Sequence, residues 1–292
     1  MNTGNARSRE AGRKATPTPM KRPGLRTLLL TAGILLILIV AAAPWIISQY
    51  WQVRSNNTIR RGMSRARELG CFACHGELGR AGIPIPGSEE GVPQWSGSVW
   101  MMYVKSDEEI RRYIVEGSPE RSAETHHGAQ GDHVHEHDAI TMPAYGDVVS
   151  EADLEDLVAT FKVLSGMVAP ARDSPARAGY DLARERSCFS CHGPAGAGGL
   201  PNPRSFTGFV PGWYGADFED LVRDRREFDT WILEGTIPRL ENHPIARYFL
   251  GRQVLPMPAY RELTAEQLDG LWAYAVWLEE TDGGHRSEVS PW

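Results

Sequence analysis

The chain has 292 residues, 41% of them hydrophobic and 23% charged, a globular composition long enough for about two ordinary domains. Residues 1–27 carry seven basic side chains and one acid, so the remaining body holds 24 basic and 36 acidic residues, a net charge of −12. Such a body argues against nucleic acid as a partner and suggests a soluble face that meets a basic or mixed-charge protein.

After the basic tail (1–27), residues 28–47 read LLLTAGILLILIVAAAPWII, twenty residues without a charge. That length crosses a bilayer as a helix. Trp45, Tyr50 and Trp51 gather at its far end as interfacial aromatics do, and the basic head keeps the N-terminus in the cytoplasm. A cleaved signal peptide is the competing reading, since AAA at 41–43 resembles a cleavage site. The run is longer than a typical signal core, and Pro44 follows the scissile position. The expectation is an uncleaved transmembrane anchor at 28–47.

The rest is a duplication. CFACHG (71–76) and CFSCHG (188–193) contain all four cysteines, and their flanks align: GMSRARELGCFACHG (62–76) lies over GYDLARERSCFSCHG (179–193). IPIP (83–86) falls on LPNP (200–203), and EEIRRYIVEG (108–117) resembles REFDTWILEG (226–235). MPAY occurs at 142–145 and again at 257–260. Each MPAY precedes a helix start signal: Ser150 before Leu154, Leu157, Val158, Phe161 and Leu164, and Thr264 with Gln267 before Leu268, Leu271, Trp272, Ala275 and Leu278. The stretch APARDSP (169–175) reads as a linker. The expected class is mostly α: an anchor, then duplicated helical domains at 58–168 and 176–281. Each runs helix, CxxCH, Pro/Gly-rich loop, helix, Met-Pro loop, helix. Long loops around so few regular elements suit a large prosthetic group at the centre of each domain.

CxxCH is the signature of covalent haem attachment. Two thiols one helical turn apart reach one edge of a porphyrin, and the following histidine ligates iron. Cys71, Cys74 and His75 would hold one haem; Cys188, Cys191 and His192 would hold the other. A redox dithiol, a single four-cysteine zinc site and structural disulfides are the rival readings. Zinc leaves both histidines and the repeated Met-Pro unexplained, and a disulfide across two intervening residues is strained. A sixth ligand must come from far along the chain. Met142 lies 67 residues after His75 and Met257 lies 65 after His192, each in the same Met-Pro turn. Core filling is the plain alternative for a methionine. Filled His/Met coordination favours electron transfer over catalysis and a high reduction potential.

These residues resemble the class I c-type cytochromes. With the anchor, the arrangement resembles the dihaem subunit of cbb-type terminal oxidases. The resemblance implies that a proline carbonyl after each motif accepts a hydrogen bond from the histidine, with Pro84 or Pro86 and Pro201 or Pro203 as candidates. It implies two covalently bound haem c groups and no catalytic residues. Its partners would be the membrane and redox proteins: a quinol-oxidising complex and a terminal oxidase or reductase. The haem domains would lie on the periplasmic side of a bacterial cytoplasmic membrane. A dihaem peroxidase, a small-substrate dehydrogenase or a fixed haem subunit of a larger complex is the alternative.

The segment ETHHGAQGDHVHEHD (124–138) holds five of the nine histidines and has no close counterpart in the second repeat. It reads as a solvated loop, as a copper or zinc site using His133, His135, His137 and the neighbouring Asp132, Glu136 or Asp138, or as an alternative source of the iron ligand. Trp95, Trp100, Trp213 and Trp231 are expected to wall the haem pockets.

Overall fold

Gly62 and Gly179 stand at the same place in the two repeats, and each lets two helices cross at backbone contact. In a computed structural model, which describes residues 24–54, 57–86, 91–96, 99–118 and 140–284, Gly62 lies on α2 (Thr58–Glu68) and packs against α5 (Glu151–Ser165). A Cβ at Gly62 would come within 2.2 Å of the Asp156 carbonyl oxygen. Gly179 lies on α6 (Pro175–Glu185) and packs on α12 (Ala265–Thr281), where a Cβ would come within 1.9 Å of the Gly270 carbonyl oxygen. The first and last helices of each repeat thus cross in the same way.

The remaining helices are α1 (Leu25–Arg54), α3 (Cys71–His75), α4 (Asp107–Glu116), α7 (Phe189–His192), α8 (Ala216–Leu221), α9 (Arg225–Glu234), α10 (Pro238–Glu241) and α11 (Pro244–Leu250). Among the described residues there is no strand beyond two isolated bridges, Pro84 with Gly91 and Pro201 with Phe209. The expected starts of the closing helices are present. Ser150 accepts from the Asp153 amide while Asp153 accepts from the Ser150 amide, and Thr264 and Gln267 form the same reciprocal box. Ser174, at the end of the expected linker, caps α6, with Pro175 in the first turn.

The described residues divide into two compact units, one before and one after the boundary between Ile47 and Ser48. In the first, Leu29, Leu30, Ile34–Val40 and Trp45 of α1 are exposed. Among the described residues no helix is long and apolar enough to cross a membrane. Side chains at 27, 28, 44, 47 and 48 lie outside the described set, so the longest unbroken described stretch is 29–43.

The second unit holds both repeats, and they share one core. Ile59, Met63 and Ala159 of the first repeat pack with Leu182, Trp213, Leu271, Tyr274 and Leu278 of the second. Polar contacts join them too. Asn57 Nδ2 donates to the Ala197 carbonyl at 2.9 Å, Thr58 donates to Asp282 at 3.2 Å, and the Arg60 guanidinium lies 4.3 Å from the centre of the Phe209 ring.

Candidate haem-attachment sites

Each CxxCH motif is a single short helical turn that stops at a glycine. Gly76 and Gly193 both have φ of 73°. A Cβ at Gly76 would meet the Ala81 carbonyl oxygen at 2.2 Å, and one at Gly193 would meet that of Gly198 at 2.7 Å. The chain folds back over the motif, and only glycine permits both that dihedral and that approach. The residue after next is left-handed in both copies: Leu78 (φ 57°) and Ala195 (φ 48°).

The loop then leaves through the Pro84 or Pro201 bridge and returns past the histidine. His75 Nδ1 lies 2.7 Å from the Pro93 carbonyl oxygen, and His192 Nδ1 lies 2.9 Å from that of Pro211. The acceptors are therefore not Pro84, Pro86, Pro201 or Pro203. Those prolines lie on the outgoing arm of the loop, and the returning arm carries the acceptors. The missed signal is a second repeated string, VPQW (92–95) and VPGW (210–213), displaced by one residue between the copies.

A carbonyl accepts only, so Nδ1 must carry the proton and Nε2 keeps its lone pair. Burial lowers both histidine pKa values, and the carbonyl bonds only partly oppose this. Both rings therefore favour the neutral form, the one able to ligate a metal. Trp95 packs on His75 with centroids 5.2 Å apart, and Trp213 packs on His192 at 5.5 Å. Trp231 lines a cavity of the second repeat, as expected; the side chain of Trp100 lies outside the described residues.

No disulfide joins the four cysteines; Cys71, Cys74 and Cys188 are half-buried and Cys191 is exposed. Burial raises the Cys71 and Cys188 pKa values, so these thiols are protonated near neutrality. Among the described residues no group of three or more His, Cys, Asp or Glu side chains could hold a metal, and a shared four-cysteine zinc site has no support there.

The Met-Pro turns are built alike. The helix before each ends at a left-handed or similarly unusual glycine, Gly117 (φ 78°) or Gly235 (φ 71°). A Cβ there would sit 2.5 Å from the Met142 carbonyl oxygen or 2.4 Å from that of Met257. Tyr145 N donates to the Ile114 carbonyl at 3.0 Å, and Tyr260 N donates to that of Ile232 at 2.9 Å. In the first repeat Ser118 also brackets Met142, its amide donating to the Met142 carbonyl and its hydroxyl accepting from the Met142 amide. Tyr145 Oη donates to the Leu69 carbonyl at 3.3 Å, tying this turn to the chain two residues before Cys71.

In the second repeat a cavity of about 450 Å³ is lined by Cys188, Cys191, His192 and Met257 together, within mostly apolar walls. Four predicted residues, 69 positions apart at the extremes, thus meet at one space. The volume falls in the range of cofactor pockets. The segment between Gly235 and Met257 folds as α10 and α11 and supplies part of this wall. It holds the position in sequence that the histidine-rich segment holds in the first repeat, so both repeats carry a segment here, with different sequences. Residues 124–138 themselves lie outside the described residues.

Neither family models nor solved structures match the chain. Among curated proteins, cytochrome c4 of Stutzerimonas stutzeri is 28% identical over 190 residues, covering 60% of this chain and 79% of the relative. The chain is similar to a c-type cytochrome. The donor set fits that similarity: paired thiols, a neutral half-buried imidazole with one nitrogen committed, and a thioether at a largely apolar cavity.

Proposed function

We propose that the protein is an electron carrier with two covalently bound haem c groups, one per CxxCH motif. Bound haem supplies a one-electron couple at iron. Cys71 and Cys74, and Cys188 and Cys191, provide the thiols for attachment. His75 and His192 would hold the iron through Nε2, each ring oriented by the Pro93 or Pro211 carbonyl. Met142 and Met257 would supply thioether ligands, a donor set that favours electron transfer over substrate chemistry. The observation that carries this reading is the second cavity, where Cys188, Cys191, His192 and Met257 meet.

The two repeats, 58–168 and 176–281, each form one haem domain. Residues 28–47 anchor the chain in the bacterial cytoplasmic membrane, with the haem domains on the outer side. Twenty uncharged residues at 1.5 Å rise span about 30 Å, the thickness of the hydrocarbon core. Such an anchored dihaem protein exchanges electrons between a quinol-oxidising donor and a terminal oxidase or reductase. A haem-stained denaturing gel and a pyridine haemochrome assay test the cofactor: two covalent c-type haems per chain are expected, and haem extractable into acidified organic solvent contradicts the reading. Carbonate washing of membranes tests the anchor, since an anchored chain stays in the pellet.

A further inference from the structure

The peptide group that holds His192 is itself held from its other side. Its carbonyl, Pro211 C=O, faces His192 Nδ1 at 2.9 Å, and its N–H, on Gly212, donates to Asp217 Oδ2 at 2.9 Å. Asp217 is 1% exposed and lies in the wall of the second cavity. Its other oxygen, Oδ1, is buried with no hydrogen-bond partner among the described residues; burial raises the Asp217 pKa, and the Gly212 hydrogen bond and the Arg60 charge oppose that rise. The nearest cation is Arg60, which comes from the first repeat and stands 4.0 Å away. Three other charged or titratable groups, Tyr214, Asp282 and Glu279, belong to the same junction. Among the described residues the first repeat shows no such carboxylate. Four residues after Trp213 stands Asp217, and four residues after Trp95 stands Val99.

We propose that Asp217 is a positioning residue for His192, acting through the Pro211–Gly212 peptide to make the second site's imidazole the stronger electron donor. Hydrogen bonds in a chain polarise one another, so a carboxylate on the N–H makes the carbonyl a better acceptor. A better acceptor at Nδ1–H raises the basicity of Nε2, as outer partners do for metal-bound histidines. A more basic axial nitrogen favours the oxidised metal, which lowers the reduction potential. A carboxylate whose only task was to pin the turn would orient the peptide equally well if it were neutral. The inference rests on the haem reading above and separates two sites that the repeat makes otherwise alike.

The experiment is a spectroelectrochemical titration of the detergent-solubilised full chain. Haem content is counted first. Asp217→Asn keeps an acceptor oxygen and removes the charge, and Asp217→Val installs the side chain type of the first repeat. Asp217→Val takes the acceptor from the buried Gly212 N–H and costs stability, so Asp217→Asn, which keeps an acceptor, carries the test where the Val variant loses haem. Both variants should shift one of the two redox waves upward and leave the other in place, with both sulfur-to-iron bands retained. The shifted wave should be the one that disappears when Cys188 and Cys191 are both replaced by Ala. Arg60→Gln should shift the same wave downward, because the carboxylate then loses its cation. An unmoved pair of waves overturns the proposal. So does an equal movement of both waves, or movement of the wave that survives loss of Cys188 and Cys191. Absence of covalent haem in the unsubstituted chain would instead contradict the underlying haem reading.

Discussion

Asn202 and Leu255 exchange two hydrogen bonds: Leu255 N donates to Asn202 Oδ1 at 2.9 Å, and Asn202 Nδ2 donates to the Leu255 carbonyl at 3.0 Å. A side-chain amide thus imitates a strand pairing, two residues before Met257. Asn202 is buried, so both of its polar ends must be satisfied there. The aligned residue in the first repeat is Ile85, which cannot make these bonds.

Asn202→Ala should therefore loosen the Met257 turn and leave Met142 untouched. Loss of a buried reciprocal pair leaves two backbone groups unsatisfied, at about 1–3 kcal/mol each. The sulfur-to-iron band of the second haem should fade at a lower temperature than that of the first. Equal fading of both would show that Asn202 does not act on Met257.

Helix crossing at Gly179 leaves no room for a methyl group. Overpacking costs about 1–3 kcal/mol or more where backbone must move. Gly179→Ala should lower the midpoint of thermal unfolding by several degrees and reduce haem incorporation at the second motif. Gly62→Ala should do the same for the first. A neutral effect of either change, measured by calorimetry and haem count, would refute the close crossing.

Acid should attack the wall of the second cavity. Arg239 on α10 holds Glu227 on α9 through bonds at 2.8 and 2.9 Å. The Arg239 bond lowers the Glu227 pKa from about 4.5 to about 2. A carboxylate with a depressed folded pKa stabilises the fold above its unfolded value, and that contribution is lost as pH falls through the folded one. Stability should thus decline between pH of about 4.5 and about 2. Glu227→Gln should flatten this decline in acid denaturation curves, and an unchanged slope would remove the pair from the account.

The histidines at 133, 135 and 137 should be dispensable for iron ligation. The Met142 turn is set by Gly117 and Ser118, which hold its backbone without them. Changing all three to Ala should leave both haem spectra intact. A perturbed first haem would mean that a histidine supplies the ligand.

The elements that could be read from the sequence were those whose signals are local. The repeat, the capping boxes at Ser150 and Thr264 and the two CxxCH motifs each depend on residues within a few positions of one another. The proline acceptors were misread because the ungapped alignment stops before the returning arm, where one copy is a residue longer. Asp217, Asn202 and Arg60 were not legible at all. Their partners are set by tertiary contact, and an Asp or Asn in a loop has the same sequence signature whether it is buried or solvated. The acidic bulk composition likewise gave no hint that Arg60 would stand half-buried between the repeats, over Phe209.

The central claim is that each repeat carries one haem ligated by His and Met. The most direct test is the weak sulfur-to-iron charge-transfer band of the oxidised full chain, measured with covalent haem content. The account predicts two haems per chain and a band from both. Met142→Ala should remove about half of that band and Met257→Ala the other half, with both haems still covalently attached. A band that survives either change undiminished, or one that is absent from the unsubstituted chain, would contradict it.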